Sequence, residues 1–203
     1  MMLKIKNERG FTITELLVIV GIIAILAAMV ALSTDNIRKA RVSSVTKELL
    51  ADLQQARVDA KTKGSSAAVA QMRGAGVRFV DTSSYVAFKF NDCDNDFEYE
   101  IDTCAGSKPE EGDVQTKTVP SSIEIMRSRD GDGVLVVPAN VLADDVLIFD
   151  RFGLPRKFDW TLGPDYILVI GHQRVKFWKC IIIATNTLRE GIWDDSTNTC
   201  TEQ

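Results

Sequence analysis

The chain has 203 residues with a formal net charge of −4, and 45% of its residues are hydrophobic. This length fits one globular domain with an additional segment, and it argues against two independent domains. The first ten residues carry a net charge of +2, so the remainder of the chain carries −6. Such an acidic chain is a poor match for a protein dedicated to nucleic-acid binding.

The first feature in chain order is an apolar stretch, GFTITELLVIVGIIAILAAMVAL, from Gly10 to Leu32. No residue from Leu16 to Leu32 is charged. As a helix, the segment that begins at Phe11 would be about 33 Å long, which is enough to cross a bilayer. A carboxylate inside such a helix is costly, and Glu15 is therefore predicted to have a function and a partner.

Two simpler interpretations of this stretch are a cleaved secretory signal and a plain membrane anchor. A secretory signal should have small residues at a cleavage site after its apolar run, whereas Met29 to Leu32 leads into a polar sequence that still has helical character. A plain anchor has no use for Glu15.

The sequence around Gly10, RGFTITELL at positions 9–17, resembles the class III signal of type IV pilins and type II secretion pseudopilins. The resemblance implies that a prepilin peptidase cleaves after Gly10 on the cytoplasmic side and that the new N-terminal residue, Phe11, is N-methylated. It also implies assembly into a helical filament with other pilin or pseudopilin subunits, through an assembly platform in the inner membrane.

Filament assembly would give Glu15 its partner. The Phe11 ammonium of one subunit and the Glu15 carboxylate of a neighbour can neutralise each other, whereas each charge alone would be costly in hydrocarbon. The positive leader predicts a cytoplasmic N-terminus and a periplasmic domain in the inner membrane, followed by a filament in the periplasm or at the cell surface. Arg38, Lys39 and Arg41 weaken this argument, although they could instead meet lipid headgroups of the bilayer.

The next segment continues as an amphipathic helix from Asn36 to about Lys63. Lys61 and Lys63 precede Gly64, which is a typical end of a helix. Its apolar side chains recur at steps of three and four residues, and one face is predicted to pack on the domain. These residues are Val42, Val45, Leu49, Leu53, Ala56 and Ala60. The predicted organisation is a cleaved leader at 1–10, a transmembrane helix at 11–35, an amphipathic helix at 36–64 and a β-rich domain at 65–203.

After Gly64 the composition indicates strands, because runs of β-branched and aromatic residues alternate with Gly, Pro, Asn and Asp. The predicted fold class is α+β, with the long N-terminal helix packed on one or two antiparallel β-sheets. The predicted strands are Val77–Val80, Tyr85–Phe90, Phe97–Ile101, Ser122–Met126, Val134–Val137, Val146–Phe149, Tyr166–Ile170 and Val175–Ile183.

Two further segments, ELLADLQQARVDA at 48–60 and VLIFDRFGLP at 146–155, resemble the minor subunits called GspH or FimT. That group carries an Ala-Arg-x-x-Ala helix and a Phe-Asp-x-x-Gly turn, which match Ala56 to Ala60 and Phe149 to Gly153. The resemblance implies a minor pseudopilin or minor type IV pilin. The second segment is also what an ordinary strand running into a glycine turn would look like.

Four cysteines fit an oxidising compartment. The simplest of three possible connectivities joins Cys93 to Cys104 and Cys180 to Cys200. Each bridge would close a short loop and contribute about 3 kcal/mol in the chain-entropy description. No Cys-x-x-Cys pattern or neighbouring histidine supports a zinc site.

An alternating acidic run could place six carboxylates on one face of a strand. Such a face attracts Ca²⁺, and Asp92, Asp94 and Asp96 are the candidate ligands. The run lacks the glycine and the final acid of a calcium-binding loop, so the alternative is a solvated acidic edge. The sequence RDGDG at 129–133 is a second candidate, or simply a hairpin turn between Ile125 and Val134.

Basic residues lie among aromatic residues in the last third of the chain, a pattern that can bind DNA. FimT-type relatives are associated with DNA uptake, which makes a DNA-binding minor pilin the alternative function. The same residues could instead form the polar faces of strands whose aromatic residues are in the core. The candidate residues are Arg151, Arg156, Lys157, Arg174, Lys176 and Lys179.

Enzyme signatures are absent from the sequence. His172 is the sole histidine, so neither a Ser-His-Asp nor a Cys-His arrangement is supported, and a strand or turn position is expected for it. Gly74-Ala75-Gly76 lacks the third glycine of a dinucleotide loop. We therefore predict a structural filament subunit without catalytic residues or a cofactor, Ca²⁺ excepted. Secretion pseudopilus, pilus and uptake filament all remain open as the machine, and so does a minor or a major role.

Overall fold

The computed structural model describes residues 11–63, 72–92, 99, 103–104, 108–109, 111–128, 135–136, 146–157, 159–163 and 166–202. The chain divides into two compact units, residues 1–38 and 39–203. The described ranges contain one long helix, one short 3-10 turn and thirteen strands. Their bounds are α1 Ile13–Lys63, β1 Met72–Asp81, β2 Ser84–Asn91, β3 Thr103–Cys104, β4 Lys108–Pro109, β5 Glu111–Thr118, β6 Glu124–Ser128, β7 Leu135–Val136, β8 Val146–Asp150, β9 Pro155–Arg156, β10 Tyr166–His172, the 3-10 turn Gln173–Val175, β11 Phe177–Ile183, β12 Leu188–Asp194 and β13 Thr199–Glu202.

The first unit consists, in its described part, of the apolar beginning of α1. Side chains from Phe11 to Met29 are exposed. An 18-residue window of this helix has a mean hydropathy of 3.0 and no buried share, so by length and composition it can cross a membrane. The predicted apolar N-terminal helix is confirmed.

The second unit contains the remainder of α1, which packs on the sheets through one stripe. All six residues of the predicted apolar stripe are buried. Their spacing of three and four residues keeps them on one side of a helix with 3.6 residues per turn. The helix ends at Lys63, with Lys61 and Lys63 in its last turn, as predicted.

Two antiparallel sheets form the body of this unit. The first sheet has the strand order β5-β2-β1-β8-β9, and the second has the order β13-β12-β11-β10-β6-β7. A small pair, β3 and β4, completes the described strands. The predicted α+β class is confirmed, with two sheets.

The main core lies where the stripe of α1 meets alternate side chains of both sheets. Val77 on β1, Leu168 on β10 and Ile181 on β11 belong to this cluster. A second cluster on the other side of the first sheet contains Phe88, Phe90 and Ile148. Strand β8 is buried along its whole length because its side chains supply both clusters in turn, which explains its unbroken apolar sequence.

Gly76 shows why the Gly-Ala-Gly segment is not a phosphate-binding loop. It lies inside β1 opposite Ile148 of β8. A Cβ at this position would collide with the Leu147 carbonyl oxygen and would lie 2.9 Å from the Ile148 Cα. Glycine here lets two strands approach closely.

The strand predictions missed six of the described strands and began β6 and β11 two residues too early. Val175 belongs to a 3-10 turn, and β11 begins only at Phe177 because Lys176 adopts a positive φ of 46° in the turn. Strands β3, β4, β5, β9, β12 and β13 were not predicted, since β3, β4 and β9 have only two residues each, β5 and β13 are polar outer strands, and β12 contains Gly191. The predicted strand Phe97–Ile101 lies outside the described residues except for Tyr99.

Candidate assembly site and helix–domain joint

The start of α1 is built as a capping box. The Thr12 backbone N–H and hydroxyl both donate to Glu15 Oε2 at 2.9 Å, and the Glu15 backbone N–H donates to Thr12 Oγ1 at 3.3 Å. Two otherwise unpaired N–H groups at the helix end are satisfied in this way. The box holds the Glu15 carboxylate at the helix N-terminus, on Thr12, the residue after Phe11.

Sequence reasoning identified Glu15 but missed its local partner. The pattern Thr-x-x-Glu in front of an apolar run is a recognisable capping signal and could have revealed it. Phe11 and Glu15 are both exposed in the isolated chain. Gly10, the predicted cleavage residue, lies outside the described residues.

Arg57 joins α1 to both sheets. Its Nε donates to the Gly153 carbonyl oxygen at 2.9 Å, in the turn after β8 of the first sheet. Its Nη1 and Nη2 donate to the carbonyl oxygens of Asn186 at 3.0 Å and Thr185 at 3.3 Å, between β11 and β12 of the second sheet. One planar guanidinium therefore contacts three backbone carbonyls of two sheets.

The turn that receives Arg57 is shaped by Asp150. The buried Asp150 accepts backbone N–H bonds from Phe152 at 2.8 Å and Leu154 at 2.9 Å through Oδ1. Its Oδ2 accepts two bonds from Arg156, at 2.9 Å and 2.8 Å. Both carboxylate oxygens thus accept hydrogen bonds from residues of the turn and of β9, and they stabilise the conformation of the turn.

Gly153 suits this joint because its φ of +74° is a conformation that other L residues rarely adopt. A Cβ added to it would clash with Lys61 Cε and lie 3.1 Å from Arg57 Nε. The Ala-Arg-x-x-Ala helix and the Phe-Asp-x-x-Gly turn, predicted separately from the sequence, are therefore the two sides of one contact. We call this contact, formed by Arg57, Asp150 and Gly153, the helix–domain joint.

A second polar contact ties α1 to the first sheet on another flank. Asp52 accepts a hydrogen bond from the Tyr85 hydroxyl at 2.7 Å and pairs with Lys117 Nζ at 2.8 Å. Lys117 also pairs with Glu48 at 3.3 Å. Burial and the hydrogen bond to Asp52 raise the pKa of Tyr85 far above its usual range, and the hydrogen bond to Asp52 raises the pKa of Lys117. The sequence did not predict this cluster, because no local sequence pattern indicates that β2 and β5 contact the helix.

The Cys180–Cys200 disulfide is present, with an S–S distance of 2.09 Å and a Cα–Cα distance of 6.1 Å. It joins β11 to β13 across Gly191 of β12, and Trp193 packs in the same cluster. This predicted bridge is confirmed. Cys104 lies in β3, and Cys93 lies outside the described residues.

The predicted acidic edge is wrong at the one position that the structure describes. Asp92 is buried, and its Oδ2 lies 3.3 Å from Arg73 Nε. Asp94 and Asp96 lie outside the described residues, as does the RDGDG segment. Strands β6 and β7 on either side of that segment pair as a hairpin would. The described part of the chain contains no group of three potential metal ligands among His, Cys, Asp and Glu.

The six basic candidates lie in two different sheets. Arg151, Arg156 and Lys157 accompany β8 and β9, whereas Arg174, Lys176 and Lys179 accompany β10 and β11. Arg156 pairs with Asp150, and the buried Lys179 pairs with Glu190 at 2.9 Å. The interpretation of Lys179 as part of a polar strand face is wrong. Residues 177, 179 and 181 lie on the same face of β11, and Phe177 and Ile181 on that face pack in the main core cluster.

His172 ends β10 in a buried position. Its Nδ1 accepts a backbone N–H bond from Arg174 at 3.2 Å, in the 3-10 turn that follows. The expected strand or turn position is confirmed.

A family model matches the chain, over a range of residues that includes the capping box. Residues 5–31 match the family described as "Prokaryotic N-terminal methylation motif". This prepilin signal indicates a type IV pilin-like or pseudopilin subunit, a class that in general assembles with other pilins and depends on the prepilin peptidase. No curated protein and no solved structure matches the chain.

Proposed function

We propose that the protein is a minor pseudopilin or minor type IV pilin. It is made as an inner-membrane precursor, cleaved after Gly10 and methylated at Phe11, and it is then built into a helical filament. The observation that carries this proposal is the capping box inside the methylation motif, which holds the Glu15 carboxylate on Thr12, the residue that follows the proposed N-terminus.

The geometry at the start of α1 supports a simple assembly step. Glu15 Oε2 accepts its bonds from Thr12, and the carboxylate is exposed in the isolated chain. Its other oxygen can accept the Phe11 ammonium of a neighbouring subunit without disturbing the cap. In hydrocarbon, neither charge is tolerated alone, and this favours subunits that pair in a single register.

The helix–domain joint supports the narrower assignment to the GspH or FimT type of minor subunit. The two motifs that carry this resemblance meet through Arg57 and Gly153, so they act as one structural unit. If residues 149–153 were only an ordinary strand that runs into a glycine turn, no arginine of the helix would be needed to bind that turn, as Arg57 does.

DNA binding has less support as the main function. Two of the six candidate cations are committed to internal ion pairs, and the remainder accompany different sheets. The chain outside the leader is also acidic.

Mass spectrometry of the membrane-extracted protein tests the proposed function. We expect cells that contain the prepilin peptidase to yield a chain that starts at N-methylated Phe11, and cells without it to yield the uncut chain. An uncut chain in both strains, or cleavage beyond Leu32, would show an ordinary anchor or signal peptide and would refute the proposal.

A further inference from the structure

The turn between β8 and β9 presents an aromatic side chain to solvent. Phe152 is 62% exposed. The guanidinium carbon of Arg151 lies 4.7 Å from the centre of its ring. A cation over an aromatic face is an attractive arrangement, and arginine and aromatic residues are enriched where binding energy concentrates at protein interfaces.

The exposure of Phe152 does not come from a loose loop. Its backbone N–H is bound to Asp150 Oδ1, and the next N–H, of Gly153, donates to the Asp150 carbonyl oxygen at 2.7 Å. The Gly153 carbonyl oxygen is held by Arg57 of α1. A side chain on such an ordered turn loses little backbone freedom when it binds, which lowers the entropic cost of association.

The surroundings of Phe152 are positively charged. Lys61 lies against Gly153, whereas Lys157 at the end of β9 interacts with the exposed Asp159 carboxylate and adds little net charge. The nearby carboxylate of Asp150 is buried and paired with Arg156, so it does not offset this charge at the surface. A cationic aromatic tip on a chain of net negative charge is suited to an acidic partner.

We propose that the Arg151–Phe152 tip, with Lys61 beside it, docks onto an adjacent pilin-type subunit of the filament. Phe152 inserts into an apolar pocket, and carboxylates around that pocket meet Arg151 and Lys61. The inference rests on the proposed function, because subunits in a helical filament make heterologous contacts in which a protruding surface meets a different, complementary one. A nucleic acid could also stack on Phe152, but the acidic chain disfavours it.

Site-specific photocrosslinking of the full chain tests this docking. A photoreactive phenylalanine analogue replaces Phe152 in cells that contain the peptidase and the assembly machinery. The matched control carries the analogue at Val114 on β5, which is 48% exposed in the same sheet. We expect a crosslink to another pilin-type subunit from position 152 and no crosslink to that subunit from position 114.

A charge reversal completes the test. Arg151→Glu in the chain with the analogue at 152 should abolish the crosslink, because carboxylates around the pocket would then be repelled. Equal crosslinking from both positions, no crosslink from 152, an unchanged crosslink with Arg151→Glu, or a crosslink to DNA would each overturn the docking.

The same cells separate this inference from the proposed function. If the chain is cleaved at Gly10 and recovered with filaments while position 152 gives no crosslink, the docking is wrong and the filament role stands. If the unsubstituted chain is neither cleaved nor recovered with filaments, both are refuted. Phe152→Ala provides the folding control, since an exposed side chain should leave the urea midpoint unchanged.

Discussion

Arg57 connects α1 to one turn in each of the two sheets. Its three acceptors are backbone carbonyls from two turns that lie about 30 residues apart in sequence, and a lysine ammonium cannot reproduce that planar fork. The joint therefore depends on arginine itself and not merely on a positive charge at position 57.

Arg57→Ala should destabilise the domain, and Arg57→Lys should restore only part of the loss. Hydrogen bonds that involve a charged donor contribute about 1.5–3 kcal/mol, so we expect a decrease in the free energy of unfolding of about that size. Urea unfolding of the full chain in detergent, followed by tryptophan fluorescence, measures it. Gln54→Ala, an exposed change on the same helix, is the control. An equal decrease in both variants would show that the joint contributes nothing.

A single substitution can separate the capping role of Glu15, which the structure shows, from the pairing role that we propose for it. Glutamine also completes a capping box, since Gln serves at this position as Glu does, but it cannot neutralise an ammonium. We therefore expect Glu15→Gln to lower recovery in purified filaments nearly as strongly as Glu15→Ala, while cleavage at Gly10 and domain folding remain intact. Normal recovery of the Gln variant would assign Glu15 a capping role alone and refute the pairing with Phe11.

At the scale of elements, we expect the contact of α1 with β2 and β5 to weaken at alkaline pH. Both Tyr85 and Lys117 have raised pKa values in the folded state, so the folded chain holds protons that the unfolded chain releases. The unfolded values are about 10 for tyrosine and about 10.4 for lysine. Stability should therefore be fully present below about pH 10 and fall as the pH rises above it.

The substitution Tyr85→Phe tests whether the Tyr85 hydroxyl causes this loss of stability at alkaline pH. The variant lacks the titrating hydroxyl, so its free energy of unfolding should be lower at pH 8, because the hydrogen bond to Asp52 is gone, and should fall less steeply between pH 10 and pH 11.5. Unfolding free energies across that range, measured for both chains in urea, provide the comparison. Parallel curves would show that Tyr85 does not titrate differently on folding.

The helix and strands also show which parts of the fold the sequence could predict and why it could not predict the others. The helix stripe and the strands with apolar alternation were predictable, because periodicity reports directly which face is buried. The polar strand β5 gave no such signal, since its pairing with β2 comes from backbone bonds. At the candidate site, Glu15 and both motifs of the joint were visible as residues, whereas Asn186 and Thr185 contribute only carbonyls. The burial of Asp92 depends on Arg73 in another strand, and a run of alternating acids could not reveal it.

At the scale of the whole molecule, the Cys180–Cys200 bridge fixes the outer strand of the second sheet. The bridge closes a loop with a sequence separation of 20, and a loop of that length contributes about 3 kcal/mol in the chain-entropy description. The double variant Cys180→Ala/Cys200→Ala should lose about that much unfolding free energy, and urea unfolding measures the loss. Peptide mapping without reduction verifies that the variant keeps any other bridge, and an unchanged urea midpoint would contradict the expectation.

The joint has a consequence for how freely the domain surface can vary. Arg57 recognises the turns at 153 and 185–186 through their main-chain oxygens, which every amino acid possesses. Asn186, which is exposed, can therefore be exchanged for another residue that keeps the turn, and the docking of the helix is retained. An epitope or a label can be grafted at the exposed position 186 for the same reason.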